Sequence, residues 1–295
     1  MISFDHPYDL PAGGRWRRGN LHAHSTQSDG EREPQAVIDD YAARGYGYLM
    51  LSDHDTFTDQ SFLAACDAKG LILLPGNEIT ARGPHMLQIG GDALVEPTTD
   101  RQVAIDQANA MDAMIVVNHP NWFARFNHCS QERMAAWQGY VGLEIYNGVI
   151  GRLDGSQYAL DHWDMLLQKG RCVWGFANDD SHKPGGDMEL GWNTTWVHGD
   201  SPEAVMTALR EGRFYPSTGV VISSIEVEGN RISVQTENAE RIVALRDSGR
   251  RLAVVDDSRI EFELTDEDAT YIRFECWGKG ESFAWTQPFM VQVSE

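Results

Sequence analysis

The sequence has no apolar run approaching the ~20 residues that a membrane helix requires, which excludes a helical membrane protein. Its opening stretch, MISFDHPYDLPAGG, has neither a basic n-region nor an apolar h-region, so no signal peptide is expected there. Cysteine is scarce. Cys66, Cys129, Cys172 and Cys276 lie far apart with no CxxC pair, which excludes a zinc finger or disulfide scaffold. A reduced, cytoplasmic protein is the expectation. Basic residues are also few, 24 Lys and Arg against 44 Asp and Glu, for a formal charge of -20. Such a field repels nucleic-acid polymers and anionic membranes, so neither is expected as a partner. A small anionic substrate remains open, because bound metal ions dominate the potential locally. No GxSxG elbow occurs, so serine-hydrolase chemistry has no support, and no phosphate loop, internal repeat or low-complexity tract is found.

What is present is ordinary globular composition, 295 residues with 42% hydrophobic and 23% charged, enough to bury a sizeable core. Between residues 16 and 213, short apolar runs alternate with amphipathic stretches. The runs at 19–23, 46–52, 71–75, 85–89, 114–118, 142–146, 172–177 and 193–198 predict strands. Pro34–Arg44, Asp59–Lys69, Asp100–Met111, Gln131–Gln138, Gln157–Lys169 and Ser201–Glu211 predict helices. Pro34 suits a first turn, and Gly45, Gly70 and Gly170 suit helix stops. This alternation predicts an α/β fold with a mainly parallel sheet. Nearly every strand ends in a ligand-capable residue. An open sheet gathers only some strand ends in one crevice, whereas a closed barrel brings all of them to one mouth. The expectation is therefore a distorted (β/α) barrel over residues 1–219. Residues 220–295 change character to short alternating runs separated by turns, predicting a small antiparallel β domain.

Five of the 10 histidines stand at strand ends, in the four motifs HxH, DHD, NHP and DSH. In a strand, residues i and i+2 face the same side, so His22 and His24 can grip one cation. Asp180-Ser181-His182 presents a carboxylate and an imidazole with the same spacing, which selects Asp180 over its neighbour Asp179. Mixed imidazole and carboxylate ligands suit Zn, Mn or Fe. Weaker claims attach to Asp53 and Asp55, as partners of His54 or as helix caps, and to Glu144, as a ligand-orienting group or a strand cap. His128, His162 and His198 read as structural or surface residues. Trp122 follows NHP and is placed to line a mouth, although most tryptophans read as core. Arg125, Lys183 and Arg213 lie near motif loops as possible phosphate contacts, none of them assigned.

NLHAHSTQSDG, LSDHDT, GNEIT, GPHMLQIG, NHP and NDDSH resemble, in order and spacing over residues 18–183, the motifs of the polymerase and histidinol phosphatase (PHP) superfamily of metallophosphoesterases. EIYNG, HWDMLLQKGR, GRFYPSTG and AWTQP are similar to its CehA/McbA-like branch. The resemblance implies a distorted seven-stranded (β/α)7 barrel holding two or three divalent metal ions (Mn, Fe or Zn). It implies that His22, His24, Glu78 and Asp180 hold one ion. Asp29, His54 and His182 hold a second, and Glu78, His85 and His119 a third, with Glu78 bridging. Hydroxide on these ions would be the nucleophile. The implied activity is hydrolysis of a small phosphorylated substrate, a nucleotide among the candidates. The branch adds an alternative, hydrolysis of a carbamate, ester or amide at the same ions.

Overall fold

A computed structural model describes residues 2–293. Two arcs of strand face each other. The first runs, in spatial order, Phe214–Ser217, Trp192–Val197, Arg15–Asn20, Tyr48–Met50 and Ile72–Leu74. The second runs Gly76–Ile79, Met86–Ile89, Met114–Val117, Gly142–Asn147 and Trp174–Asn178. Among the described residues, six α-helices pack outside: Pro34–Ala43, Gln60–Ala65, Arg101–Ala110, Gln131–Ala136, Leu160–Leu167 and Pro202–Arg210. Their starts follow from local chemistry. Pro34 and Pro202 sit in first turns, and the Asp59 and Ser201 side chains accept hydrogen bonds from Phe62 N and Ala204 N. No helix among the described residues is long and apolar enough to cross a membrane.

The period-2 pattern of MIVV explains the layering. Met114 and Val116 point between the arcs and join Tyr48, Met50, Leu74, Leu87, Ile89 and Phe176 in an apolar plug. Ile115 and Val117 point outward and pack with Ala104, Ile105, Ala108, Trp163 and Leu166. A strand buried on both faces needs this uninterrupted apolar sequence.

Two expectations are corrected. The sheet is not mainly parallel: Met86–Ile89 is antiparallel to both its neighbours, as is Trp192–Val197. Nor does a continuous ladder close a (β/α)7 barrel among the described residues, because the arcs meet at two seams. At one, Pro75 separates Leu74 from Gly76 and has no N–H to continue the ladder. At the other, side-chain amides stand in for backbone. Asn178 Oδ1 accepts from Leu21 N at 3.1 Å. The Asn193 amide accepts from Ala177 N at 3.1 Å and donates to Ala177 O at 2.8 Å. Single bridges still tie the seams near the mouth, Ala23 to Ser181 and His54 to Glu78.

Beyond residue 219 the strands are antiparallel. Ile222–Glu228, Arg231–Thr236 and Arg259–Glu263 form a separate three-stranded sheet. Phe289–Val293 pairs with the N-terminal strand Ile2–Asp5, and Ala284 pairs with Ser217 at the edge of the first arc. Buried Arg273 donates to both Asp164 carboxylate oxygens, at 2.6 and 2.7 Å, fastening this region to the helix Leu160–Leu167.

Candidate metal centre

All nine residues singled out as ligands converge at the mouth between the two seams. The bridge at Ala23 sets His22 and His24 beside Asp180. Asp180 Oδ1 lies 3.2 Å from His22 Nε2 and 3.1 Å from His24 Nε2. Glu78 stands at the centre. Its Oε1 is 3.4 Å from His22 Nε2, 3.1 Å from His85 Nδ1 and 3.3 Å from His119 Nε2, and its Oε2 is 2.8 Å from His54 Nδ1. Asp29 Oδ1 is 3.4 Å from both His54 Nε2 and His182 Nε2. Metal bonds of about 2.0–2.2 Å would separate neighbouring ligand atoms by roughly 3.0–3.5 Å, the spacing of most of these pairs.

Open valences point the same way. His22 Nε2, His54 Nδ1 and Glu78 Oε2 are buried within 2.8–3.4 Å of facing polar atoms without forming a well-directed hydrogen bond, and His119 Nδ1 has no partner, where buried polar atoms are normally paired. The donor set, imidazole and carboxylate together, fits divalent cations of the Mn, Fe and Zn kind. Four groups of candidate ligand atoms, each within 4.8 Å of one another, cover the set: His24, Asp29, His54 and His182; His22, His24 and Asp180; His22, Glu78 and His119; and His54, Glu78 and His85.

A further layer of groups fixes these side chains. Glu144 Oε1 accepts from His22 Nδ1 at 2.8 Å and from Asn178 Nδ2 at 2.9 Å. Its Oε2 accepts from His119 N at 3.0 Å and from Asn147 Nδ2 at 2.8 Å. Holding the His22 proton on Nδ1 leaves Nε2 free to coordinate, the usual service of a carboxylate behind a ligand histidine. Asn118 Nδ2 donates to Glu78 Oε1 at 2.7 Å, and Asn147 Nδ2 to Asp180 Oδ2 at 3.2 Å. His182 Nδ1 donates to Asp180 O at 2.8 Å, turning Nε2 toward Asp29. Strain gathers here as well. His119 and Asp180 take φ of 26° and 57°, in the left-handed region that side-chain-bearing residues rarely adopt.

The electrostatics are those of a cation cage. Burial would raise the Glu78 carboxyl, but the imidazoles of His22, His85 and His119 outweigh it and hold the group well below the usual range. Burial likewise opposes ionisation of Asp180, and His22 and His24 reverse it. Asp29 is lowered by its bonds to His182 and His54. Burial pulls His54 down, yet Asp29 and Glu78 push it up to about 10. Without a cation, the facing carboxylates favour the protonated imidazoles of His22, His54 and His182.

Several weaker readings are now decided. Asp179 faces away, accepting from Tyr41 OH at 2.8 Å and from Leu190 N and Gly191 N at 2.8 and 3.0 Å. Asp53 neither orients His54 nor caps a helix, because it accepts from Ser25 N, Ser25 Oγ and Ser28 Oγ. Asp55 likewise binds Thr80 N, Thr80 Oγ1 and Ala81 N. His128 Nε2 accepts from His85 N at 2.8 Å, and a ring nitrogen of His128 also lies within 4.8 Å of those of His85 and His119, whereas His162 bonds Gln131 and Asn121, a structural duty. Arg213 pairs with Glu211 at 2.6 Å and does not line the mouth. A cavity of about 290 Å³ opens over the ligands, with Trp122, Val149, Ile150 and Leu153 as apolar wall and Arg152 and Lys183 as cations. Sequence reasoning missed Asn118, Asn147, Asn178 and Arg152. The one available signal was position, since each asparagine ends or directly follows a strand.

No family model matches the chain. Its fold is similar to that of a two-domain protein from Bacteroides vulgatus containing a predicted PHP-like metal-dependent phosphoesterase, with a TM-score of 0.59, 18% identity, and coverage of 93% of each chain. The chain has a PHP-like fold. A candidate metal-dependent phosphoesterase from Bifidobacterium adolescentis aligns with 69% of this chain and 98% of its own, at a TM-score of 0.48 and 17% identity. In sequence, the chain is 35% identical over 82 residues to a 5'-3' exoribonuclease of Haemophilus influenzae, covering 26% of this chain and 30% of that protein. The match thus spans under a third of that curated relative.

Proposed function

We propose that this PHP-like chain is a multinuclear metal-dependent hydrolase, and that its substrate is a small phosphoester. The observation that carries the reading is the convergence of three carboxylates and six imidazoles on one mouth, with ligand atoms left open. His22, His24, Glu78 and Asp180 would hold one divalent ion, Asp29, His54 and His182 a second, and His85 and His119 with Glu78 a third. Bound ions of this kind supply Lewis acidity and make water nucleophilic at neutral pH.

The chain's own part is placement. Glu144 and the asparagines hold the ligands in register. Arg152 and Lys183 bring positive charge to the cavity for phosphate oxygens. Asp187 accepts from Arg152 Nε and Nη2 at 3.0 and 2.8 Å, which keeps the guanidinium from swinging away. A cavity of about 290 Å³ sits near the lower end of the ~300–1,000 Å³ range of small-molecule sites, so a small molecule is favoured over a polymer. The similarity to a named exoribonuclease supports the phosphoester class, and the charge of -20 argues against a polymeric nucleic acid for this chain.

The apolar wall, together with the CehA/McbA-like motifs, favours a second reading in which the same ions hydrolyse an uncharged carbamate, ester or amide. The test is a panel of phosphomonoesters, phosphodiesters, aryl esters and aryl carbamates, assayed after reconstitution with Mn²⁺ and after chelation. Chelator-sensitive turnover of phosphoesters alone is the expected result. Turnover of carbamates or esters alone would move the substrate class to the second reading.

A further inference from the structure

The loop that follows His119 is built at unusual cost. Phe123 and Phe126 adopt φ of 76° and 52°, in the left-handed region, where a bulky residue is an outlier. The strained turn is clamped by the segment 154–156. Phe123 N donates to Asp154 O at 2.9 Å, Ser156 N donates to Asn121 O at 3.0 Å, and Trp122 bridges Gly155. Gly155 must be glycine, because a Cβ there would meet Asn121 O at 2.5 Å and φ is 131°. The clamp fixes Trp122. Phe123 stacks on the indole at 4.3 Å, and the rings of His85 and His119 meet it edge to face at 5.6 and 5.1 Å. The ring is thus held rigidly against two candidate ligands while it still lines the cavity, with Ile150 and Leu153 among the other apolar liners. Maintained strain beside a reactive centre marks a segment that geometry, not stability, has selected.

We propose that Trp122, with Ile150 and Leu153, is the subsite for the organic part of the substrate, and that this part is a planar ring: an aryl or nucleobase-bearing phosphomonoester. The inference rests on the phosphoesterase reading above. Held by Phe123 and two imidazoles, the indole offers a ring its remaining cavity-lining surface, together with Ile150 and Leu153, at little cost in side-chain entropy, whereas an alkyl chain gains less from it. The loop's strain keeps the indole where the leaving group would lie once the phosphoryl group reaches the ions.

The test compares phenyl phosphate with glycerol phosphate in wild type, Trp122→Ala, Trp122→Phe and Leu153→Ala, with metal content measured on each protein. Using ratios between variants cancels the different intrinsic reactivity of the two esters. Trp122→Ala should raise KM for phenyl phosphate roughly tenfold more than for glycerol phosphate. Trp122→Phe should keep most of the preference, and Leu153→Ala should weaken it without loss of metal. Equal effects on both esters, or a preference unchanged in Trp122→Ala, would overturn the subsite. If wild type turns over neither ester, the phosphoesterase reading fails separately, and the subsite is then read by calorimetry with phenylphosphonate and methylphosphonate. Tighter binding of the phenyl compound, lost in Trp122→Ala, upholds it; equal binding of the two rejects it.

Discussion

The same strands build two opposite environments. At the floor, Tyr48, Met50, Leu74, Leu87, Ile89, Met114, Val116 and Phe176 fill the space between the arcs. Glu78 lies four residues beyond Leu74, His54 four beyond Met50, Asp180 four beyond Phe176 and His119 three beyond Val116, and the mouth gathers them with Asp29 and the other imidazoles. Burial stabilises the floor whatever occupies the mouth, because apolar contacts need no partner of fixed chemistry. The mouth is the reverse. It forces like groups together, leaves buried polar atoms open and bends His119 and Asp180 into disfavoured backbone. The comparison teaches that stability and function are separated along each strand here, and not between separate elements. Substitutions at the two ends should therefore fail in different measurements.

The largest expected effect is at Glu78. Both its oxygens face imidazoles, so Glu78→Gln removes a shared charge while keeping the shape. We expect loss of metal from two positions and a fall in turnover of roughly a thousandfold or more, with the circular dichroism spectrum unchanged. His119→Ala should lose less metal and less activity. Full metal content with near-normal turnover in Glu78→Gln would break the assignment of the mouth. The complementary cut is Met114→Ala. A large-to-small change in a closed apolar cluster costs about 2–5 kcal/mol, read from denaturant unfolding. The folded fraction should keep its full metal stoichiometry. Metal loss from folded Met114→Ala would show that floor and mouth are coupled, and the separation would fall.

Legibility in the sequence follows the same division. Ligands that come in pairs at strand ends, such as His22 with His24 and Asp180 with His182, are readable because local periodicity fixes their direction. The strand Gly76–Ile79 is not readable, since Gly76, Asn77 and Glu78 have little strand propensity and are held by pairing with Met86–Ile89. The seams are unreadable for a stronger reason. Asn178 and Asn193 replace backbone partners that lie far away in the chain, and no short-range pattern records that. Glu144 was visible as a strand acid, but its bonds to His22, Asn178, His119 and Asn147 exist only after the second arc folds. The expectation of closure failed at Pro75 and at the asparagine seam, where the ladder is interrupted without moving the strand ends apart.

Glu144 gives the next smaller effect and sharpens the boundary of the mouth. It contacts two candidate ligands and, among the residues found to line the cavity, it does not appear. Glu144→Gln would present an N–H to His22 Nδ1 or to the His119 backbone N, where only an acceptor fits. Metal affinity should fall about 10–100-fold, the usual cost of disturbing a ligand's supporting carboxylate. Competition with a chromogenic chelator measures it. Affinity within twofold of wild type would reduce Glu144 to a strand-end anchor.

The smallest effect is the pH dependence of metal binding, and its sign is set by the mouth alone. Asp29, Glu78 and Asp180 are all held below the usual carboxylate range, so they are ionised throughout neutral pH and contribute no slope there. The imidazoles do contribute. Burial lowers His22, His54 and His182, but facing carboxylates raise all three above the ordinary value, His54 to about 10. In the metal-free protein these groups hold protons that an incoming cation must displace. Affinity should therefore rise with pH from about 6.5 up through the folded value of His54. The steepness is about tenfold per pH unit for each displaced proton. Stability of the metal-free protein runs the other way. The share from His54 is fully present below its unfolded value of about 6.5 and is lost as pH rises through about 10. Calorimetry of Mn²⁺ binding in buffers of different ionisation enthalpy counts the protons released. A count of zero at pH 7, with metal bound, would mean that the ligand imidazoles are already neutral and that the carboxylates alone compensate the charge of the cage.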